Sequence, residues 1–233
     1  MTIDDRGQRP RPDEARIAEL EEKRRFFSRG AGIASIVHYA QEQGLIDISW
    51  ANPRVTELGC GSGSGLLVFR LLGADIAGVD LQKYPHISFF QRSPLIGEIP
   101  FFVGTSEEYL KTQPDESHDA VFAFNVESDV WTPEVAEQSF RILKPRGIAL
   151  ITWQDVNLSN ERNGRFPTNF PYWPSGDKRQ IQIYYPSLGP ATGHVIDALF
   201  SPEELAKGML VIDPNVSPQE VTMPDAHLMV AKK

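Results

Sequence analysis

The chain has 233 residues, 41% of them hydrophobic and 23% charged, which suits one globular domain large enough to bury a proper core. Its formal net charge of −8 speaks against broad nucleic-acid binding, which needs a cationic footprint, and leaves room only for a local basic groove. No apolar run reaches the roughly 18 residues of a membrane span, the first twenty residues lack the apolar centre of a signal peptide, and the single cysteine, Cys60, can form no internal disulfide.

These balances lead to the expectation of a cytoplasmic protein with a small-molecule partner. Residues 1–13 are polar and carry prolines, and read as a frayed arm; a single domain is expected over 14–233. From Glu14, Ile17, Leu20, Phe26 and Phe27 recur at helical spacing beside the charged run Glu21 to Arg25. Ser28-Arg29-Gly30-Ala31-Gly32 breaks that pattern. A second helix carries Ile33, Ile36, Val37 and Ala40 and stops near Gly44. The two are expected to form a cap over 14–46 and to offer contact surface for a homodimer.

Strand and helix patterns then alternate. Residues 55–58 read as a strand, 66–72 as a helix entered through glycines, 74–80 as a second strand and 101–103 as a third. Thr105-Ser106-Glu107-Glu108 has the form of a capping box. Residues 120–126 make a fourth strand, and Thr132-Pro133 pairs an N-cap with proline at the first helical position. That helix is expected to run to about Lys144, and 148–153 to form a fifth strand after the turn Pro145-Arg146-Gly147. Repeated units of this kind imply an α/β fold with a parallel sheet covered on both faces.

The remainder is less regular. Residues 155–195 show no sustained periodicity and are expected to form an irregular lid insertion. Ser201-Pro202-Glu203-Glu204 reads as a helix start, and 210–212 and 227–230 as strand-like pieces.

The chemistry centres on Glu57-Leu58-Gly59-Cys60-Gly61-Ser62-Gly63, at the end of the first strand. Glycines there let the backbone turn sharply and approach a ligand closely, and the following helix begins with free N–H groups. Asp80 closes the second strand roughly 20 residues later, the spacing at which a carboxylate accepts hydrogen bonds from a ribose. A nucleoside-type cofactor follows. The dinucleotide fingerprint G-x-G-x-x-G fails in both frames, because its third position falls on Ser64 or Leu66, and this disfavours a nicotinamide dehydrogenase.

The glycine turn instead resembles the first motif of class I (Rossmann-like) S-adenosylmethionine (SAM)-dependent methyltransferases. The resemblance implies that Glu57, Gly59, Cys60, Gly61 and Gly63 surround the amino-acid part of SAM, and that Asp80, with Leu81 behind it, holds the ribose. Thr105 and Ser106 match the loop beside the adenine, with threonine where the family often has aspartate. Asp119 to Asn125 resembles the fourth-strand motif, whose end, at Asn125, faces the methyl group. Leu143-Lys144-Pro145-Arg146-Gly147 resembles the turn into the fifth strand. The match spans residues 53–153, and implies a doubly wound, mostly parallel seven-stranded sheet with the last strand antiparallel. It also implies S-adenosylhomocysteine (SAH) as product.

Methyl transfer from a sulfonium is an in-line displacement at carbon, in which orientation carries much of the rate; a hydroxyl acceptor adds a use for a base. Glu127, Asp155 and His194 are the candidate bases, with Asp129 nearby in sequence. Their ordinary alternatives are a solvated acid, a turn initiator and a loop histidine. His38 and His86 read as packed or surface residues and Cys60 as a packed small side chain. The expected insertion carries Phe166, Phe170, Tyr172, Trp173, Tyr184 and Tyr185 among Arg162, Arg165, Lys178 and Arg179. Such a set forms either a satellite core or a lid over an aromatic or apolar acceptor, with Trp131, Phe170, Tyr172, Trp173 and Tyr184 as substrate contacts. No metal is expected, since the histidines lack ligand spacing.

The reading is therefore methyl transfer to an oxygen or nitrogen of a small aromatic or apolar metabolite. A protein methyltransferase, or a SAM-binding fold with a non-methylating role, is the alternative. Base amino groups are disfavoured by Asn125-Val126-Glu127-Ser128, which stands where an Asp/Asn-Pro-Pro-aromatic motif would lie.

Overall fold

The computed structural model describes residues 30, 33, 36, 37, 40, 41, 44–82, 98–126, 130–154, 172–174, 178–183 and 226–233. Strand β1 (Arg54–Leu58) lies near the middle of the sheet, parallel to β2 (Asp75–Asp80) on one side and β4 (His118–Ala123) on the other. β3 (Phe101–Val103) adds outside β2, and β5 (Leu143–Gln154) outside β4, both parallel. β7 (Ala226–Lys232) runs antiparallel between β5 and β6 (Lys178–Ile183). The order is β3-β2-β1-β4-β5-β7-β6, the seven-stranded, mostly parallel sheet that was expected, with its last strand reversed.

Helices α1 (Ser64–Leu71), α2 (Ser106–Thr112) and α3 (Pro133–Ile142) cover the sheet. Alternation along each strand divides the core into two layers. Val55, Ile76, Ala120 and Phe122 pack with Phe69 of α1 and with the helical residues Ile33, Ile36, Val37 and Ala40. Leu58, Val79 and Val121 pack on the opposite face with Leu110 of α2 and Val135, Ala136 and Ile142 of α3. A strand buried on both faces tends to be apolar throughout, which is why Ala120 to Ala123 of β4 read so clearly; β1 instead buries Thr56 and Glu57 beside its apolar residues.

Local signals set the helix ends. At α2 the Glu108 N–H donates to Thr105 Oγ1 (3.1 Å) and the Thr105 N–H to Glu108 Oε2 (2.9 Å), completing the predicted capping box. At α3 Thr132 Oγ1 accepts from the Val135 N–H at 3.2 Å, with Pro133 opening the helix. Gly44, at φ +64°, follows the last described helical residue and supplies the left-handed conformation that ends helices.

Three boundaries differ from expectation. β4 stops at Ala123 rather than at 126, because Asn125 takes φ +56° and leaves the strand. β5 begins at Leu143, immediately after α3. Its partners pass from His118↔Leu143 to Ala120↔Ile148, so residues 144–147 bulge out, with Arg146 at φ +69°. The predicted turn is thus a kink inside one strand.

The sixth strand also comes from an unexpected place. Lys178–Ile183 lies within the segment expected to be an irregular lid, and pairs along its length with β7. The strand-like piece at 210–212, the helix start at Ser201 and the first expected helix at 14–27 lie outside the described residues. Among the described residues, no helix is long and apolar enough to cross a membrane.

Candidate functional site

Ligands of open α/β sheets bind where the strand order reverses, at the carboxyl ends of the strands. Here β1 feeds β2 and β3 in one direction and β4 lies on its other side, so the reversal falls at the end of β1. The glycine turn stands there. Gly59, Gly61 and Gly63 have φ of +63°, +53° and +81°, a region L side chains rarely occupy.

The turn is held from below. The Cys60 N–H donates to the Val79 carbonyl (3.1 Å), the Gly63 N–H to the Cys60 carbonyl (2.9 Å), and the Gly61 N–H to Asp80 Oδ2 (2.8 Å). Asp80 therefore fastens the turn with Oδ2, while Oδ1 accepts a long bond from the Gln82 N–H at 3.4 Å and keeps a lone pair for a further donor. A side chain at Gly59 would press on Val130 Cγ1, 3.2 Å from the Cβ position, whereas one at Gly61 would meet none of the described residues within 4 Å. Among the described residues, the space above Gly61 is open.

Glu57 faces the other way. Its side chain is 2% exposed and lies against Gly65 in the first turn of α1, where any Cβ would collide with both carboxyl oxygens. Oε2 has no hydrogen-bond partner among the described residues. Burial, reinforced by the neighbouring Asp80 charge, pushes the Glu57 carboxyl up to about 8. Cys60 is buried too. Burial first, then Glu57 and Asp80, raise its thiol well above the usual range, and its Sγ sits 2.9 Å from where a Gly78 Cβ would be. It is a packed thiol rather than a nucleophile.

The other residues of the expected cofactor set share this edge. Leu81 follows Asp80 and is 69% exposed. Thr105 follows β3, whose Val103 is the register partner of Asp80. Its hydroxyl oxygen accepts the helix-capping bond from the Glu108 N–H, and its side chain also bonds the Glu108 carboxylate. Ser106 is half-buried beside it. Asn125 is exposed beyond β4, and its N–H donates to Thr152 Oγ1 at 2.9 Å.

Two of the expected substrate residues are placed differently. Trp131 and Trp173 are 1% and 4% exposed and belong to the core. Their rings stack at 6.3 Å, and Phe140 meets Trp173 edge-on at 5.8 Å. The Trp131 Nε1–H donates to the Tyr172 carbonyl at 3.1 Å. Residues 172–174 of the expected lid therefore pack against α3, and Trp131 and Trp173, expected as substrate contacts, are buried in this cluster. Tyr172 is half-buried. Glu127, Asp129, Asp155, His194, Phe170 and Tyr184 lie outside the described residues.

Three positioning residues were missed in the sequence. Thr152 is buried within β5; its Oγ1 and carbonyl accept the Asn125 and Val126 N–H groups and so shape the turn after β4. Its signal was a lone hydroxyl inside an apolar strand. Gly65 and Gly78 are required by the side chains of Glu57, Cys60 and Leu66, and nothing in their spacing announces it. Among the described residues, no group of three or more His, Cys, Asp or Glu converges as a metal site would require.

The edge thus offers an open cradle at Gly61, a carboxylate beside it, an exposed leucine and a buried acid lacking a partner. Those features fit a nucleoside whose other end is an amino acid bearing positive charge. Residues 56–151 match the family model described as a methyltransferase domain. None of the curated proteins matches the chain by sequence. Among solved structures, a candidate sarcosine dimethylglycine methyltransferase from Galdieria sulphuraria is 15% identical; the likeness covers 88% of this chain and 85% of that one, with a TM-score of 0.51. A SAM-dependent methyltransferase from Archaeoglobus fulgidus is 18% identical over 86% and 94% of the two chains, with a TM-score of 0.47. A phosphoethanolamine N-methyltransferase from Haemonchus contortus, solved with phosphomonomethylethanolamine and SAH, is 15% identical over 79% and 49%, with a TM-score of 0.46. At such identities the first of these speaks to the fold alone.

Proposed function

We propose that the chain is a class I SAM-dependent methyltransferase that takes SAM as its cofactor and transfers a methyl group to an oxygen or nitrogen atom of a small molecule; the match of residues 56–151 to a methyltransferase domain supports this. The observation that carries this reading is the space that the described residues leave open above Gly61, beside an Asp80 carboxylate whose Oδ1 makes only a long bond, to the Gln82 N–H at 3.4 Å. When bound, SAM supplies an electrophilic methyl group on a sulfonium.

The chain's own residues would do the rest. Asp80 would accept from the ribose hydroxyls, Leu81 would cover an apolar face of the adenine, and the Thr105 hydroxyl and Ser106 backbone would meet its polar edge. Glu57, Gly59, Cys60, Gly61 and Gly63 would frame the amino-acid end, and Asn125 would border the acceptor side. A proton leaving a hydroxyl acceptor would pass to Glu127, Asp155 or His194. The net charge of −8 supports a small acceptor over a nucleic acid. An aromatic or apolar acceptor would be met by Phe170, Tyr172 and Tyr184, with Trp131 and Trp173, packed in the core, as the other expected contacts. The reading keeps the protein cytoplasmic. A homodimer contact would have to use something other than Ile33, Ile36, Val37 and Ala40, which are buried in the chain's own core.

Calorimetric titration with SAM and SAH tests the cofactor half. Both should bind, and Asp80→Ala should weaken both by roughly 100-fold, as loss of two charge-assisted hydrogen bonds predicts. Labelled SAM with panels of phenols, amines, proteins and nucleic acids tests the acceptor half. Transfer to protein alone would overturn the small-molecule assignment, and binding without transfer to any panel would mark a non-methylating role.

A further inference from the structure

The first residues of four strands come together at the edge of the sheet opposite the glycine turn. Arg54 opens β1, Asp75 opens β2, Phe101 opens β3 and His118 opens β4. Between these strand starts and α2 lies a cavity of about 330 Å³, at the lower end of the size range of small-molecule sites. The length of β1 or β2, roughly 13–17 Å at the usual rise per residue, separates it from the cofactor edge. A ligand held here cannot receive a methyl group there, so the cavity is no part of the site described above.

Its walls divide by chemistry. Phe101, Phe102 and Tyr109, with Ala77 of β2, supply an aromatic and apolar interior. The Phe102 and Tyr109 rings lie 5.5 Å apart, tilted by 53°, and the Tyr109 hydroxyl is engaged with Thr56 Oγ1 at 3.2 Å. His118 is buried, and burial keeps its ring neutral above about 4. Two opposite charges stand at the solvent side. Arg54 and Asp75 are register partners on adjacent parallel strands, and both are exposed. The Arg54 guanidinium donates through Nη2 to Gln113 Oε1 at 3.2 Å, which engages one of its five N–H donors. The Asp75 carboxylate has no partner among the described residues. The neighbouring acid, Asp119, is occupied by Lys144 Nζ and by the Arg54 backbone N–H, each at 2.8 Å.

These charges select among ligands. A lone carboxylate drawn to Arg54 would meet Asp75 beside it, a lone amine would meet the reverse, and an uncharged ring would use neither. A zwitterion with its two charges one carbon apart uses both, and a ring behind it meets the aromatic wall. We propose that this cavity binds a free aromatic α-amino acid, with its carboxylate on Arg54, its ammonium on Asp75 and its ring against Phe102 and Tyr109. This is an accessory ligand site. It does not depend on the cofactor reading of the opposite edge.

Calorimetric titration of the full chain with L-phenylalanine tests the proposal, with hydrocinnamate and phenethylamine as matched ligands lacking the ammonium or the carboxylate. L-Phenylalanine should bind saturably at millimolar concentration or below. Each one-charge analogue should bind on the order of tenfold more weakly, the loss of one charge-assisted contact. Arg54→Gln and Asp75→Asn should each weaken L-phenylalanine by a similar factor. Asp75→Asn should also improve hydrocinnamate, a gain that a misfolded variant cannot show. In the wild type, nuclear Overhauser contacts should join the ligand ring to the Phe102 and Tyr109 rings, a measurement that depends on no variant. Absence of saturable L-phenylalanine binding at millimolar concentration would overturn the proposal, as would an analogue that binds equally well. Displacement of L-phenylalanine by SAH would place the amino acid at the opposite edge and overturn the proposal while leaving the cofactor reading intact.

Discussion

Replacing Glu57 with glutamine, its neutral isostere, should make the folded protein more stable at neutral pH. The folded-state carboxyl stands at about 8 against an ordinary 4.5, so folding at pH 7 requires the chain to take up a proton. Between pH 4.5 and 8 the unfolded chain has lost this proton and the folded chain keeps it, so stability falls as pH rises and levels off above 8. Each unit is worth about 1.36 kcal/mol. The charge costs about 3 kcal/mol at pH 7 and about 5 kcal/mol above pH 8, with no screening discount because the group is buried. Glutamine removes this cost. Urea midpoints of wild type and Glu57→Gln, measured side by side from pH 5 to 9, isolate it, since every other titrating group is shared. The stability difference should widen in favour of the variant by about 1.4 kcal/mol per pH unit up to pH 8 and then stay constant; at pH 7 it corresponds to roughly 6–12 °C in Tm for a chain of this size. A difference that does not change with pH would show that Glu57 is ionised in the folded protein, and would refute the reasoning.

Other substitutions probe other parts of the structure. Trp173→Ala should cost about 3–5 kcal/mol by emptying the stack with Trp131 and Phe140, with SAM affinity unchanged in the folded protein. A lid residue would show the reverse, retained stability with a raised KM for the acceptor. Thr152→Val removes the acceptor of the Asn125 N–H and should lower the unfolding free energy by about 1–3 kcal/mol in denaturant titrations; an unchanged midpoint would mean that the turn after β4 is held by other contacts. His118 is buried and donates through Nδ1 to Ser117 Oγ, whose own proton goes to the Pro114 carbonyl. Burial, and then the Arg54 charge, lower its pKa to about 4. The unfolded chain takes up a proton below pH 6.5 that the folded chain refuses, so wild type should lose about 3 kcal/mol between pH 6.5 and 4. His118→Gln should flatten that acid limb, and an equally steep limb in the variant would assign it elsewhere.

How much of this was legible in the sequence depends on the kind of physics involved. Burial on both faces gives β4 the apolar run Ala120 to Ala123, the glycine turn marks the end of β1, and helix starts need particular oxygens at Thr105 and Thr132, so these elements announce themselves locally. β6 does not. Among the described strands it is an edge that pairs with β7 alone, and Lys178-Arg179-Gln180-Ile181-Gln182-Ile183 has the polar character that edges require, which in one dimension looks like loop. Trp131 and Trp173 are ambiguous in the sequence for a different reason. An aromatic ring serves a lid and a core equally well, and only the contact across some forty residues of chain decides between them. Glu57 is the sharpest case. Its place in the glycine motif was visible, but an acid at a strand end can be solvated, paired or orphaned, and the sequence is the same in all three. What selects the third state is the absence of a side chain at Gly65, which lets α1 close over the carboxyl, together with the position of Asp80, which ties down Gly61 and brings a second acid near the first. Glycine spacing thus encodes where a cofactor fits, while the electrostatic character of the site is set by which charges those glycines allow to come close. That second property would be altered by a methyl group at Gly65, a change outside the motif by which the site was recognised.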